Sequence, residues 1–209
     1  HHVNATAGTS YMKDDNHYLS GSGSGASTDL IPTLNATADS TQRVTSTRAE
    51  EAMLSYFGRV NYDYDGKYLA SVSMRADGSS RFAENHRWGY FPGASLGWNM
   101  HRENFFTPAR KYVSKLKLRA SWGRTGNNSI SLADSRGLYG ITGTTYLGEV
   151  GILNTTLANA DLVWETTESW DAGIDLGFFN NRLEILVDVY NKKTFDRLYD
   201  NKLPSTTGF

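Results

Sequence analysis

In Tyr56–Tyr64 and again in Tyr68–Ala76 every second residue is apolar or glycine, and the two runs are joined across Asp65-Gly66. A period of two is the mark of a β-strand with unlike faces, and Asp-Gly between alternating runs marks a tight hairpin. One face carries Tyr56, Val60, Tyr62 and Tyr64, then Tyr68, Ala70, Val72, Met74 and Ala76. The other carries Arg59, Asn61, Ser71, Ser73, Arg75 and Asp77. The apolar face must be covered by a protein core or by lipid, and period two alone fits both.

The pattern recurs along the chain and predicts seven strands, at 1–12, 50–62, 67–78, 91–101, 115–124, 164–178 and 183–196. The apolar face continues with Ala94, Leu96, Trp98, Met100, Leu116, Leu118, Ala120 and Trp122. Trp170, Ala172, Ile174, Leu176, Phe178, Leu183, Ile185, Val187 and Val189 complete it. Ser95, Asn99, Lys117, Arg119, Asp171, Asp175 and Asp188 fall on the polar face. Connections at one end are long or medium (13–49, 79–90, 125–163), whereas tight turns at 63–66 and 180–181 mark the other. That asymmetry is the habit of outer-membrane barrels. The connection 102–114 is longer than a short-turn end requires, and its sequence suggests one helical turn.

Ring placement favours lipid over a core. Tyr62, Tyr64, Tyr68, Trp98 and Phe178 lie beside the tight turns, Tyr56, Trp122 and Trp170 toward the long loops, with aliphatic residues between. Two aromatic bands around an aliphatic one suit interfacial girdles; a sandwich core concentrates its largest rings in the middle. The chain has no run of about 18 apolar residues and hence no transmembrane helix, but a spanning strand needs only about ten alternating residues.

Several functions are disfavoured at this stage. A net charge of -1 with both signs dispersed gives no case for nucleic acid, and the absence of cysteine removes disulfides and thiolate metal sites. Asp63-x-Asp65-Gly66 opens like a calcium loop, yet the later acidic ligand is replaced by Ala70 and Ser71. Beyond the adjacent pair His1-His2 the histidines show no metal-ligand spacing, no G-x-S-x-G turn occurs, and Asp171 and Asp175 share one strand face. No catalytic residue, metal site or cofactor is expected. The start at His1 without Met and the end at Gly208-Phe209 read as a piece of a longer polypeptide.

The blocks DGSSRF (77–82), RWGYFPG (87–93), LKLRASWGRTGN (116–127), WETTESWDAGID (164–175) and LPSTTGF (203–209) resemble, in letters, order and spacing, the barrel of SusC/RagA-type TonB-dependent transporters of Bacteroidetes outer membranes. The resemblance covers about residues 48–209. It implies an all-β fold: an antiparallel transmembrane β-barrel segment of seven strands within a plugged barrel of about 22. Residues 13–49, 79–90 and 125–163 would then be extracellular loops. The whole protein would import an oligosaccharide or oligopeptide, capped by a SusD-like surface lipoprotein and energised by TonB through an N-terminal plug outside this chain. A structural or adhesive barrel, and a soluble all-β carbohydrate-binding module, stand as alternatives. An open seven-strand edge in lipid would leave backbone groups unpaired, so this segment alone should transport nothing.

Two residue groups are singled out. Arg59, Arg75, Asp77, Arg81, Arg119, Asp171 and Asp175 are expected to form a luminal polar network, of charge pairs that satisfy buried groups. His86, Arg87 and Trp88 in one loop, with Tyr139 and Tyr146 in another, combine rings with hydrogen-bonding groups, as sites that grip sugars or peptides do.

Overall fold

The computed structural model describes residues 1–28, 30–131, 134–146 and 149–199, leaving the side chains of 141–146, 150 and 153–155 outside that description. These residues form β1 (His2–Ser22), β2 (Arg43–Tyr64), β3 (Tyr68–Ser79), β4 (Trp88–Trp98), β5 (Val113–Asn127), β6 (Leu138–Tyr146), β7 (Glu149–Thr156), β8 (Glu165–Phe178) and β9 (Leu183–Phe195). Seven make one sheet in the order β1-β2-β3-β4-β5-β8-β9, while β6 and β7 pair apart as a hairpin.

Residues His1–Tyr11 and Met53–Phe209 form one compact unit, and Met12–Ala52 a second. Within the second, Arg48 bridges Asp15 at 2.8 Å, and two 3₁₀ turns at Leu34–Ala36 and Asp39–Thr41 shape the connection. The expected loop 13–49 is thus largely strand: β1 runs on to Ser22 and β2 begins at Arg43. Strand pairing there continues without an apolar face, so alternation gives no sign of it. Loop 125–163 likewise holds the end of β5 and the β6–β7 hairpin. The strand expected to reach residue 101 ends at Trp98. The connection expected at 102–114 consists of 3₁₀ turns, Met100–Arg102 and Asn104–Lys111, up to the start of β5 at Val113.

The turns carry the geometry their residues imply. Asp65 and Gly66 both have positive φ, at 53° and 61°, and the Lys67 amide donates to the Tyr64 carbonyl at 2.9 Å. This is the primed two-residue turn whose twist suits a hairpin, and Asp63 caps it by accepting the Gly66 amide at 2.6 Å.

Register brings the apolar residues into rows. Tyr64, Tyr68, Trp98, Leu118, Ile174 and Val187 lie side by side, and so do Tyr62, Ala70, Leu96, Ala120, Ala172 and Val189. The ring bands cross these rows obliquely. On β2 and β4 the far band holds Tyr56 and Tyr90, in register with Ala76. On β5 and β8 it holds Trp122 and Trp170, in register with Ala94 and so with Val72, four positions nearer the tight turns. The near band moves the same way, from Tyr68 and Trp98 down to Phe178. Four residues are about 13 Å of strand, and the step is made over roughly three strands about 4.8 Å apart. The slope is about 40°, the tilt of strands in a transmembrane barrel. Eight residues separate the bands on β3 and on β8. At that tilt this is about 20 Å of membrane between ring rows, and the rings extend it toward the ~25 Å apolar band of such barrels.

Burial is inverted relative to a soluble domain. Val72 and Leu96, in the middle of the apolar face, are 62% and 65% exposed. The hydrophobic cluster of Phe82, Phe91, Ile130 and Trp164 instead sits on the polar side of the sheet, at its long-loop end.

Candidate functional site

The polar face carries two separate charge clusters rather than one network. Near the tight-turn end, Arg119 on β5 reaches Asp175 at 3.0 Å and Asp171 at 3.6 Å on β8, and Asp188 at 2.5 Å on β9. Arg119, Gly173 and Asp188 are in register on consecutive strands, so the Arg119–Asp188 bridge passes over Gly173. A Cβ at 173 would stand 2.8 Å from the Arg119 guanidinium carbon, which is why a glycine occupies the middle of this row. Three carboxylates around one arginine leave a net negative surface. It borders a concavity of about 490 Å³ whose polar lining includes Asn61, Ser71, Ser95, Lys117 and Ser121.

Toward the loop end, Arg75 grips Asp77 with Nε at 2.7 Å and gives Nη2 to the Ser55 hydroxyl at 3.1 Å. Asp77 and Ser55 are buried, at 5% and 2% exposure, and the partly exposed Arg75 supplies both with a hydrogen-bond partner. Arg59 between the clusters donates to Ser71, at 3.1 Å. Arg81 belongs to neither: its Nη1 donates to the Ile130 carbonyl at 2.8 Å, and its own carbonyl accepts from Ser135. It is a strut between two loops.

That strut is part of a knot at the mouth of the polar face. The rings of Phe82 and Trp164 lie 5.1 Å apart, and Phe91 meets Trp164 edge-on at 5.4 Å. Trp164 Nε1 donates to the Arg87 carbonyl at 3.0 Å, and Asn128 donates to the Ser79 hydroxyl at 3.4 Å. Glu165 accepts from Asn127 at 3.3 Å. Gly126 leaves the room that Phe91 fills, since a Cβ there would collide with the ring. The sequence blocks 77–82, 87–93, 123–128 and 164–165 are therefore the parts of one assembly that ties three loops together. Sequence reasoning missed its hydrophobic centre; the available signal was Phe91, a ring on the otherwise polar face of an alternating strand.

The residues expected to grip solute do not gather. Trp88 lies on the apolar face, stacked on Tyr56 at 6.0 Å, because its parity matches Tyr90 and Val72; it does not join the others. His86 Nδ1 meets the Ala160 carbonyl at 3.2 Å, and Arg87 is exposed beside it. Tyr139 is exposed on β6, and the side chain of Tyr146 lies outside the described residues.

At the tight-turn end the rings end on a carboxylate. Glu103 accepts from the Tyr68 hydroxyl at 2.6 Å and from Trp98 Nε1 at 3.2 Å, with Lys67 at 3.6 Å. The Tyr68 hydrogen bond first, then those of Trp98 and the charge of Lys67, hold the Glu103 carboxyl below its ordinary value. A depressed carboxyl adds stability above the ordinary range near 4.5, and this is lost as pH falls through the lower folded value. Unfolding midpoints measured from pH 7 to pH 3 should therefore fall more steeply for the parent protein than for Glu103→Gln; parallel curves would remove this contribution. At the other end Trp122 Nε1 donates to Glu168 at 3.0 Å, so both bands place a ring N–H or O–H on a carboxylate.

Comparison with known proteins agrees with this geometry. Residues 2–209 match the family model described as TonB dependent receptor-like, beta-barrel. The chain is 43% identical over 182 residues to TonB-dependent receptor P39 of Formosa agariphila, covering 87% of this chain and 17% of that protein. It is 37% identical over 174 residues to TonB-dependent receptor SusC of Bacteroides thetaiotaomicron, covering 79% and 17%. Among solved structures, that of the RagAB peptide transporter superposes with a TM-score of 0.87 at 32% identity, covering 99% of this chain and 23% of that one. The RagAB peptide importer in its 'open-open' state superposes at 0.84. The chain thus spans about a fifth of the length of such relatives.

Proposed function

Because this chain belongs to the TonB-dependent receptor β-barrel family, an outer-membrane family of SusC/RagA type, we propose that it forms part of the wall of an importer. The parent protein would take up oligosaccharides or oligopeptides, with a SusD-like lipoprotein over the mouth and TonB acting through a plug. The observation that carries this reading is the division of one sheet into a tilted, ring-bounded apolar band and a charged opposite face. Such a wall separates lipid from a polar passage. The similarity to the RagAB peptide transporter supports import and keeps peptides beside glycans as the solute class.

In this reading the clusters around Arg119 and Arg75 line the lumen. The knot at Phe82 and Trp164 holds the loops that carry His86, Arg87 and Tyr139 toward solute or lipoprotein. No catalytic constellation enters the account; relatives bear receptor names.

The test is deletion of the parent gene in the source bacterium, followed by uptake of labelled oligosaccharide and oligopeptide pools with and without a protonophore. Loss of protonophore-sensitive uptake of one pool is expected. Unchanged uptake of both would overturn the reading.

A further inference from the structure

The irregular connection after β4 lies at the tight-turn end of the sheet and is markedly basic. Arg102, Arg110, Lys111 and Lys115 stand against Glu103 alone between residues 102 and 115. A groove of about 520 Å³ opens there, lined by Asp65, Lys67, His101, Arg102, Arg110 and Ser114. The one acid lining it, and the acid next to Arg102 in sequence, are already engaged. Asp65 has Lys67 at 3.5 Å, and Glu103 behind it is held by Tyr68, Trp98 and Lys67. Among the described residues Arg102, Arg110 and Lys111 have no carboxylate partner within 4.0 Å. Arg110 is fixed in place, giving Nε to the His101 carbonyl at 3.0 Å. The Arg102 guanidinium lies over Gly66, where a side chain would displace it.

The level of this groove is set by the ring band beside it. Phe105 meets Trp98 edge-on at 6.4 Å and is 64% exposed, and Tyr112 and Phe179 are each 61% exposed at the same end. Large exposed rings with cations just beyond them, next to the edge of an apolar band, are the pattern of a membrane interface. Basic pockets at that level take phospholipid phosphate, for which arginine offers paired donors.

We propose that the groove lined by Arg102 and Arg110, with Lys111 next to it in sequence, binds the headgroup of an anionic phospholipid in the periplasmic leaflet. This rests on the outer-membrane barrel reading for its orientation. The longer connection at an otherwise short-turn end is then a lipid-binding element.

The test uses the full-length parent protein in detergent micelles, titrated with phosphatidylglycerol or phosphatidylcholine and read by native mass spectrometry. Phosphatidylglycerol should bind more tightly, and Arg102→Gln with Lys111→Gln should weaken it by roughly fivefold per charge removed. Arg43→Gln, at the loop end, should leave it unchanged. Equal binding of the two lipids, or an unweakened double variant, would overturn the proposal. Displacement by 10 mM inorganic phosphate alone would overturn it in favour of a free-anion site. Retained heat-modifiable migration shows that the double variant is folded; if it is lost, Arg102→Gln alone is read against the same criteria. No solute or TonB is present, so failure of the import reading leaves this result standing. Labelling of Ser114→Cys from outside intact cells would instead overturn the periplasmic placement.

Discussion

Replacing Phe82 by alanine is expected to lower the unfolding free energy of the parent barrel by about 3–5 kcal/mol, the usual cost of emptying an aromatic site in a packed core. Phe82 is fully buried, lies 5.1 Å from Trp164 and closes a cluster with Phe91 and Ile130 to which Met53, Leu162 and Leu198 add their sides. Few other buried apolar residues are available among the described residues to compensate. The change should appear as a lower urea midpoint in detergent and as new proteolytic nicks in segments 79–88 and 128–137. Trp164→Phe keeps a ring but loses the bond to the Arg87 carbonyl, so it should cost about 1 kcal/mol beyond any packing loss. Tyr139→Ala, on an exposed side chain, should stay within about 0.5 kcal/mol. If Phe82→Ala behaves like Tyr139→Ala, the knot does not hold the loops.

The second large effect separates the two faces by a one-residue step. Val187 stands midway between the rows of Phe178 and Trp170, on the apolar face of β9. An arginine there should cost about 2–4 kcal/mol if lipid covers that face. Leu186 is equally apolar and 59% exposed, but it points to the polar side, in register with Asp175. Leu186→Arg should be close to neutral. Hydrophobicity alone treats the two alike, so the difference reads face rather than composition. It is measured as outer-membrane assembly yield and urea midpoint of each variant; equal losses would remove the assignment of faces.

The membrane-crossing middle of the sheet was legible because lipid on one side and water on the other force strict alternation. Asp65-Gly66 and Asn180-Asn181 fixed the hairpins, and the partition of Tyr62, Val72, Leu96 and Ile174 from Arg59, Ser73 and Arg119 holds in the register. Beyond the ring bands that constraint ends. The stretch Lys13–Ser22 is strand without alternation, and the β6–β7 hairpin lay hidden in a long polar segment.

The charge clusters were legible as types but not as partners. Arg119 and Asp175 share a face by parity, whereas the reach to Asp188 depends on strand order and on the gap at Gly173. Trp88 was misplaced because a loop was expected where β4 already begins, and parity then sends its ring to the lipid side. The Phe82–Trp164 contact joins residues far apart in sequence, and no local period announces it.

The central claim, lipid on one face and a polar passage on the other, is tested most directly at Val72 and Ser73 in the parent protein in its membrane. Val72 lies midway between Tyr68 and Ala76 on the apolar face, and Ser73 beside it faces the polar side. Single cysteines at each position are exposed to a membrane-impermeant thiol reagent and, carrying a spin label, to a lipid-phase quencher. Quenching from lipid is expected at 72 and labelling from water at 73. Shielding of 72 from both, with 73 open to bulk water in a detergent-free protein, would contradict the claim.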